Sequence, residues 1–468
     1  MSAQRLHAAD ALLPAGWAKD VLLEWNADGR FVSVVPDQAA PFGVPRAAGQ
    51  VVPGMPNLHS HAFQRACAGL TEFRSTGADS FWSWRDVMYR FARQVTPDQL
   101  EAIATWLYIE MLEGGYTSVC EFHYLHNDTD GRSYADDTTL AMCLVRAARR
   151  AGIGLTLLPV LYQQGGFCGA GPTDGQRRFI RTTESLLSLL ASVRDGVAGA
   201  ADARAGLAIH SLRAVGPEAL RDVLSGLARL DSTAPIHIHV AEQAREVEEC
   251  VAWSGQRPVE WLLGHAPVDA RWCLVHATHM TADETARAAA TGAVAGLCPS
   301  TEANLGDGIF DWPAWAGDAA AHPGRWGIGS DSHVTVNAAE ELRLLEYSQR
   351  LRTGRRNVTA TPAQPHVATA MTLAAVAGGA AAAGRPIAGL EPGQRADFVV
   401  LDAAHPLIAG LPAQLALDAH VFASHRGSAI DGVCAGGRVV VERGRHGLRS
   451  EAADAFVQAR AALAAVPT

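Results

Sequence analysis

Lysine is all but missing from this chain. Lys19 is the only one in 468 residues, so 38 of the 39 basic side chains are arginine. A lysine Schiff base, a phosphate-loop lysine and a kinase-type lysine are therefore excluded unless Lys19 itself serves. Cysteine is sparse: the eight are scattered with no CxxC pair, which points to reduced, buried thiols and not to a disulfide framework. No apolar run approaches the length of a membrane span. Residues 1–20 carry no long apolar core behind basic residues, so the expectation is a cytoplasmic protein without a signal peptide. Positive charge is also short. Lys plus Arg is 39 against 48 Asp plus Glu, a net charge of −9, which argues against a nucleic-acid partner.

What is present is an ordinary globular composition, 48% hydrophobic and 19% charged, with length enough for one large α/β barrel and additions. Short apolar runs near 21–25, 31–35 and 50–52 read as strands separated by Gly and Pro turns. From Pro53 the pattern changes to apolar runs alternating with amphipathic segments. Eight strands are predicted near 54–58, 117–122, 154–160, 205–210, 235–240, 271–276, 293–298 and 325–330. Helices are predicted near 97–113, 138–151, 178–194, 217–230, 242–253, 281–290 and 338–352. Thr96-Pro97 opens the first of these, and Gly114-Gly115 ends it. Eight strands with interleaved helices imply a parallel (β/α)8 TIM-like barrel over 53–385. The Ala/Gly-rich stretch 370–385 reads as a packed helix. Segments 394–402 and 428–443 read as strands and 451–465 as a helix. Residues 1–52 and 386–468 would then form a small β-sandwich domain built from both termini, with the terminal helix.

The polar residues of interest follow the predicted strands, on the face where such barrels carry their active sites. His59 and His61 are two apart in extended chain, so both imidazoles can reach one ion. Strand five ends in His237-Ile238-His239-Val240-Ala241-Glu242, strand six in His276, and strand eight in Ser330-Asp331-Ser332-His333. Imidazole and carboxylate at several strand ends of one barrel suit Zn2+ or Fe2+. Gln64, Arg85, Tyr124, His210 and Arg213 cluster on the same face. Two arginines in one pocket would suit a small dicarboxylate, which guanidinium pairs bidentately.

The run Pro53-Gly54-Met55-Pro56-Asn57-Leu58-His59-Ser60-His61, with His239-Val240-Ala241-Glu242, His276, Ser330-Asp331 and the late Gly393–Asp402, resembles the deaminase branch of the amidohydrolase superfamily. The resemblance spans nearly the whole chain. It implies one divalent metal, zinc first and iron(II) as the alternative, with His59, His61, His239 and Asp331 as ligands. Many binuclear members bridge two metals with a carboxylated lysine, and a barrel without lysine excludes that arrangement. The metal would lower the pKa of water from 15.7 to roughly 7. Asp331 would accept the water proton, His276 would hydrogen-bond the tetrahedral intermediate, and Glu242 would protonate the leaving nitrogen.

Three further strings, His59–Arg65, His210-Ser211-Leu212-Arg213-Ala214-Val215 and Ser300–Gly308, resemble the formimidoylglutamate deiminase family. That likeness implies hydrolysis of N-formimino-L-glutamate to N-formyl-L-glutamate and ammonia, in histidine degradation. Gln64, Arg85, Tyr124, His210 and Arg213 would hold its glutamate portion, and the protein would be a homodimer. The rival expectation is a deaminase of a guanine-like or triazine ring, whose pocket would not need two arginines. Of the remaining candidates, His237 reads as a core or supporting residue and His333 as support for Asp331. His123, His126 and His279 have no assigned role. Cys298 reads as a packed thiol, Glu302 and Asn304 as loop-ordering residues, and Trp82 and Trp84 as possible pocket walls.

Overall fold

The structure is a computed structural model and describes residues 4–72, 81–317, 322–425 and 429–465, with the backbone alone for 81–83. Eight strands form the path of the barrel sheet: Met55–Ser60, Tyr116–His123, Gly154–Leu161, Leu207–Ile209, Ile236–Val240, Trp272–His276, Val294–Leu297 and Arg325–Ile328, and a ninth, Ala203–Ala205, pairs with Gly154–Leu161 off that path. Neighbouring strands pair in parallel in sequence order. Helices connect them, as parallel neighbours require. The sheet is α/β in class and nearly closed.

Its seam is shut by polar groups and not by a full ladder. Ser60 and Asp331 form an isolated bridge, Asp331 N donates to His59 O at 3.0 Å and His61 N donates to Asp331 O at 3.2 Å. Asn57, fully buried, completes the join: its Oδ1 accepts Ser330 N at 3.1 Å and His59 N at 3.3 Å, and its Nδ2 donates to Ser330 Oγ at 2.6 Å. Asn57→Ala strands those two amides in the interior. The expected cost is about 1–3 kcal/mol of stability, read as a lowered thermal unfolding midpoint.

A second sheet of eight strands draws on both ends of the chain. Its order runs Arg445–His446, Arg438–Glu442, Ile430–Ala435, Phe398–Leu401, Val51–Pro53, Gln4–Leu13, Gly16–Trp25, Phe31–Val35. It has a core of its own, including Val21, Leu23, Trp25, Phe31 and Phe398. Only Gly54 separates Val51–Pro53 from the first barrel strand, and a Cβ there would lie 2.3 Å from the Thr117 side chain. No helix among the described residues is long and apolar enough to cross a membrane.

Thr96 caps its helix in a reciprocal capping box with Gln99, and the Ala/Gly-rich stretch is a packed helix, Val367–Ala383. Several elements differ from expectation. Gln4–Leu13 is a strand, though its three alanines carry little β preference; pairing along Gly16–Trp25 makes it one. Phe81–Ala92, Pro258–His265, Pro299–Leu305, Trp312–Ala316 and Ala413–Phe422 are helices that apolar spacing did not reveal. Two of these begin with proline, Trp312–Ala316 carries one at its second position, and the three are only five to eight residues long. That is too short for a 3.6-residue period to register.

Candidate active site

The turns that leave the barrel strands carry the polar residues, and their backbone is unusual. Ala241, His276, Ala277, Asp331 and His333 all have φ between 47° and 66°, a region that residues with a Cβ rarely enter. Such conformations persist only where surrounding contacts over-determine them, and they concentrate at functional sites.

Four side chains converge there. The Nε2 atoms of His59 and His61 lie 3.0 Å apart, those of His59 and His239 3.0 Å, and those of His61 and His239 3.3 Å. Asp331 Oδ1 lies 3.4 Å from His59 Nε2 and 3.3 Å from His61 Nε2. Donor atoms about 2.0–2.1 Å from a common centre stand roughly 3.3 Å apart at tetrahedral corners, so the spacing fits a divalent ion. The tautomers fit as well. His61 Nδ1–H donates to Phe122 O at 3.0 Å and His239 Nδ1–H to His210 O at 2.9 Å, which turns the Nε2 lone pairs inward. Burial lowers the pKa of all three imidazoles, so they stand neutral as ligands must.

His276 faces this cluster from the sixth strand. Its Nε2 is 3.7 Å from Asp331 Oδ2 and 3.9 Å from Glu242 Oε1. Its Nδ1 meets Glu302 Oε1 at 3.3 Å, and the same oxygen accepts Cys298 N at 2.8 Å. Glu302 is thus more than a loop-ordering residue: it orients His276. Burial works against the His276 cation, but Glu242, Glu302 and Asp331 outweigh it and raise the pKa. Burial pushes the Glu242 carboxyl up to about 7, against the pull of His276 and Arg213. A carboxyl poised there can both take and give a proton near neutral pH.

Cys298 is buried, and its Sγ lies within 4.8 Å of donor atoms of His276 and Asp331, so the thiol packs against the site itself. Burial holds that thiol well above its usual pKa, with carboxylates adding to the shift, so it remains protonated. His333 supports the cluster from behind. Its Nε2 accepts His61 N at 3.2 Å, which leaves Nδ1–H to donate to Ser330 Oγ at 3.0 Å. Glu121 accepts Ser60 Oγ and Ala62 N, both at 2.6 Å, and so clamps the strand end that carries His59 and His61.

One cavity of about 490 Å3 adjoins the cluster. His61, His239, Glu242, His276 and Asp331 line it, and so do Gln64, Arg85, Tyr124, His210 and Arg213. Gln64 Nε2 donates to Tyr124 OH at 2.7 Å. Trp84 is on the wall as well, whereas the Trp82 side chain lies outside the described residues. The remaining histidines lie elsewhere. His237 donates to Ala382 O at 2.8 Å, His126 to Val160 O at 2.9 Å and His279 to Asp307 O at 2.8 Å. His123 is buried and does not line the cavity. Asn304 Nδ2, on the helix Pro299–Leu305, donates to Glu72 Oε1 at 2.8 Å.

Comparison with known proteins matches residues 50–440 to the amidohydrolase family and residues 3–43 to the N-terminal domain of formimidoylglutamate deiminase HutF. The chain is 51% identical over 453 residues to the formimidoylglutamate deiminase of Pseudomonas aeruginosa, covering 97% of this chain and 98% of that one. A crystal structure of an amidohydrolase from Brucella melitensis superposes with a TM-score of 0.93 at 49% identity, covering 99% of this chain and 100% of that one. An adenosine deaminase from Xanthomonas campestris with bound zinc shares the fold at a TM-score of 0.81 and 20% identity, over 99% of each chain.

Proposed function

The chain belongs to the amidohydrolase family, and from that membership we propose that it is a hydrolase of N-formimino-L-glutamate, releasing N-formyl-L-glutamate and ammonia. The observation that carries this reading is the joint placement of the four-donor cluster and two arginines, Arg85 and Arg213, on one cavity. A metal centre provides for hydrolysis, and two cations provide for a dicarboxylate. On this reading residues 53–385 are the hydrolase barrel, while 1–52 and 386–468 are the β-sandwich domain and terminal helix.

We assign His59, His61, His239 and Asp331 to one divalent ion, zinc, which such nitrogen and oxygen donors suit. When bound, that ion supplies Lewis acidity and lowers the pKa of water toward neutrality. The protein's own groups do the rest. Arg85, Arg213, Gln64, Tyr124 and His210 hold the glutamate portion and so fix the formimino carbon next to the cluster. Asp331 turns Oδ1 toward the imidazoles and Oδ2 toward His276, so one oxygen can take the proton of the attacking water. His276 Nε2 stands between Asp331 and Glu242, where it can donate a hydrogen bond to the oxygen that gains charge. Glu242 protonates the departing nitrogen, because ammonia leaves readily only when its nitrogen is protonated. The reading carries with it a cytoplasmic homodimer acting in histidine degradation.

Ammonia release from N-formimino-L-glutamate is the test, with metal-loaded and chelated samples compared. The loaded protein is expected to release ammonia with N-formyl-L-glutamate as co-product, and chelation to abolish it. A folded, loaded sample that spares this compound yet deaminates a neutral ring would refute the assignment.

A further inference from the structure

The turn that carries Glu242 is held by a carboxylate to which the reaction above gives no part. Glu246 lies on the first turn of the helix Ala244–Ser254 and is wholly buried. Its Oε1 accepts the amide of Ala241 at 3.2 Å, and its Oε2 accepts the amide of Glu242 at 3.1 Å. Ala241 is left-handed, with φ 52°, a conformation an alanine adopts reluctantly. Two adjacent amides on one carboxylate pin that turn and therefore aim the Glu242 side chain.

Arg213, on the wall of the same cavity as Glu242, is only 8% exposed. Burial opposes the Arg213 charge, and Glu246, followed by Glu242, is the main group that restores it. A buried cation needs such a counter-charge to remain in place. Glu246 also holds the backbone of the proton donor directly.

We propose that Glu246 is a positioning residue that, through its two backbone hydrogen bonds, fixes the turn that aims Glu242 for proton delivery. The proposal rests on the role given to Glu242 above. Glutamine at this position keeps the size but has a single acceptor oxygen. Its NH2 group would face a backbone N–H, and the counter-charge would be lost. Aspartate keeps the charge and is too short to reach both amides.

The test is steady-state kinetics of the full metal-loaded chain on N-formimino-L-glutamate. Glu246→Gln is expected to lower kcat about 10- to 100-fold and to change KM less, with metal content as in the wild type. Glu246→Asp, which keeps the charge but cannot hold both amides, is expected to keep kcat low, with KM near the wild-type value. Unchanged kinetics in Glu246→Gln would overturn the proposal. So would losses accompanied by lost metal, a KM effect as large as the kcat effect, or wild-type kcat in Glu246→Asp. Wild-type turnover is the control. Its absence overturns the functional reading and this inference with it, whereas turnover with an indifferent Glu246→Gln overturns this inference alone.

Discussion

Glu242→Gln is expected to lower kcat by about 10²- to 10⁴-fold, the usual worth of a positioned general acid, while the protein keeps its full metal content. Glu242 sits at the end of the fifth barrel strand, three residues past His239. It is buried, and it faces His276 Nε2 at 3.9 Å and not the imidazole cluster. Glutamine preserves its size and can still donate or accept a hydrogen bond, but it cannot deliver a proton. Because His59, His61, His239 and Asp331 are untouched, metal content separates this outcome from loss of the centre. Near-normal turnover would remove Glu242 from the mechanism.

Arg213→Met is expected to raise KM about 10- to 100-fold, since a hydrogen bond to a charged group contributes roughly 1.5–3 kcal/mol. kcat should fall less. Methionine preserves an unbranched apolar stem and deletes only the cation, so the loss reports on the carboxylate and not on packing. The effect should shrink for formimino compounds with one carboxylate fewer. An unchanged KM for N-formimino-L-glutamate would break the link between Arg213 and the acidic end of the substrate.

The architecture was legible because two periodicities repeat along the chain. The strand ending in His276 and the helix Pro217–Leu230 are where apolar spacing predicts them. In a parallel barrel the ends of such strands form one face, so His59, His239, His276 and Asp331 could be gathered from strand positions alone. The short, proline-containing helices escaped because a single turn or two carries no readable period. Gln4–Leu13 escaped because its alanines become a strand only through a partner.

The sequence by itself determined the alternation of strand and helix, the set of polar residues at the strand ends, and the exclusion of a lysine-bridged metal pair. Only the tertiary structure decided the contacts through which those residues act together. His237 and His239 stand two apart on one strand, yet His239 joins the cluster while His237 is spent on Ala382 O. Glu302 bonds His276 across 26 positions of sequence, and His333 accepts the His61 amide across 272. Contacts of that separation follow from barrel closure and from the direction each left-handed turn gives its side chain. No spacing rule along the chain encodes either.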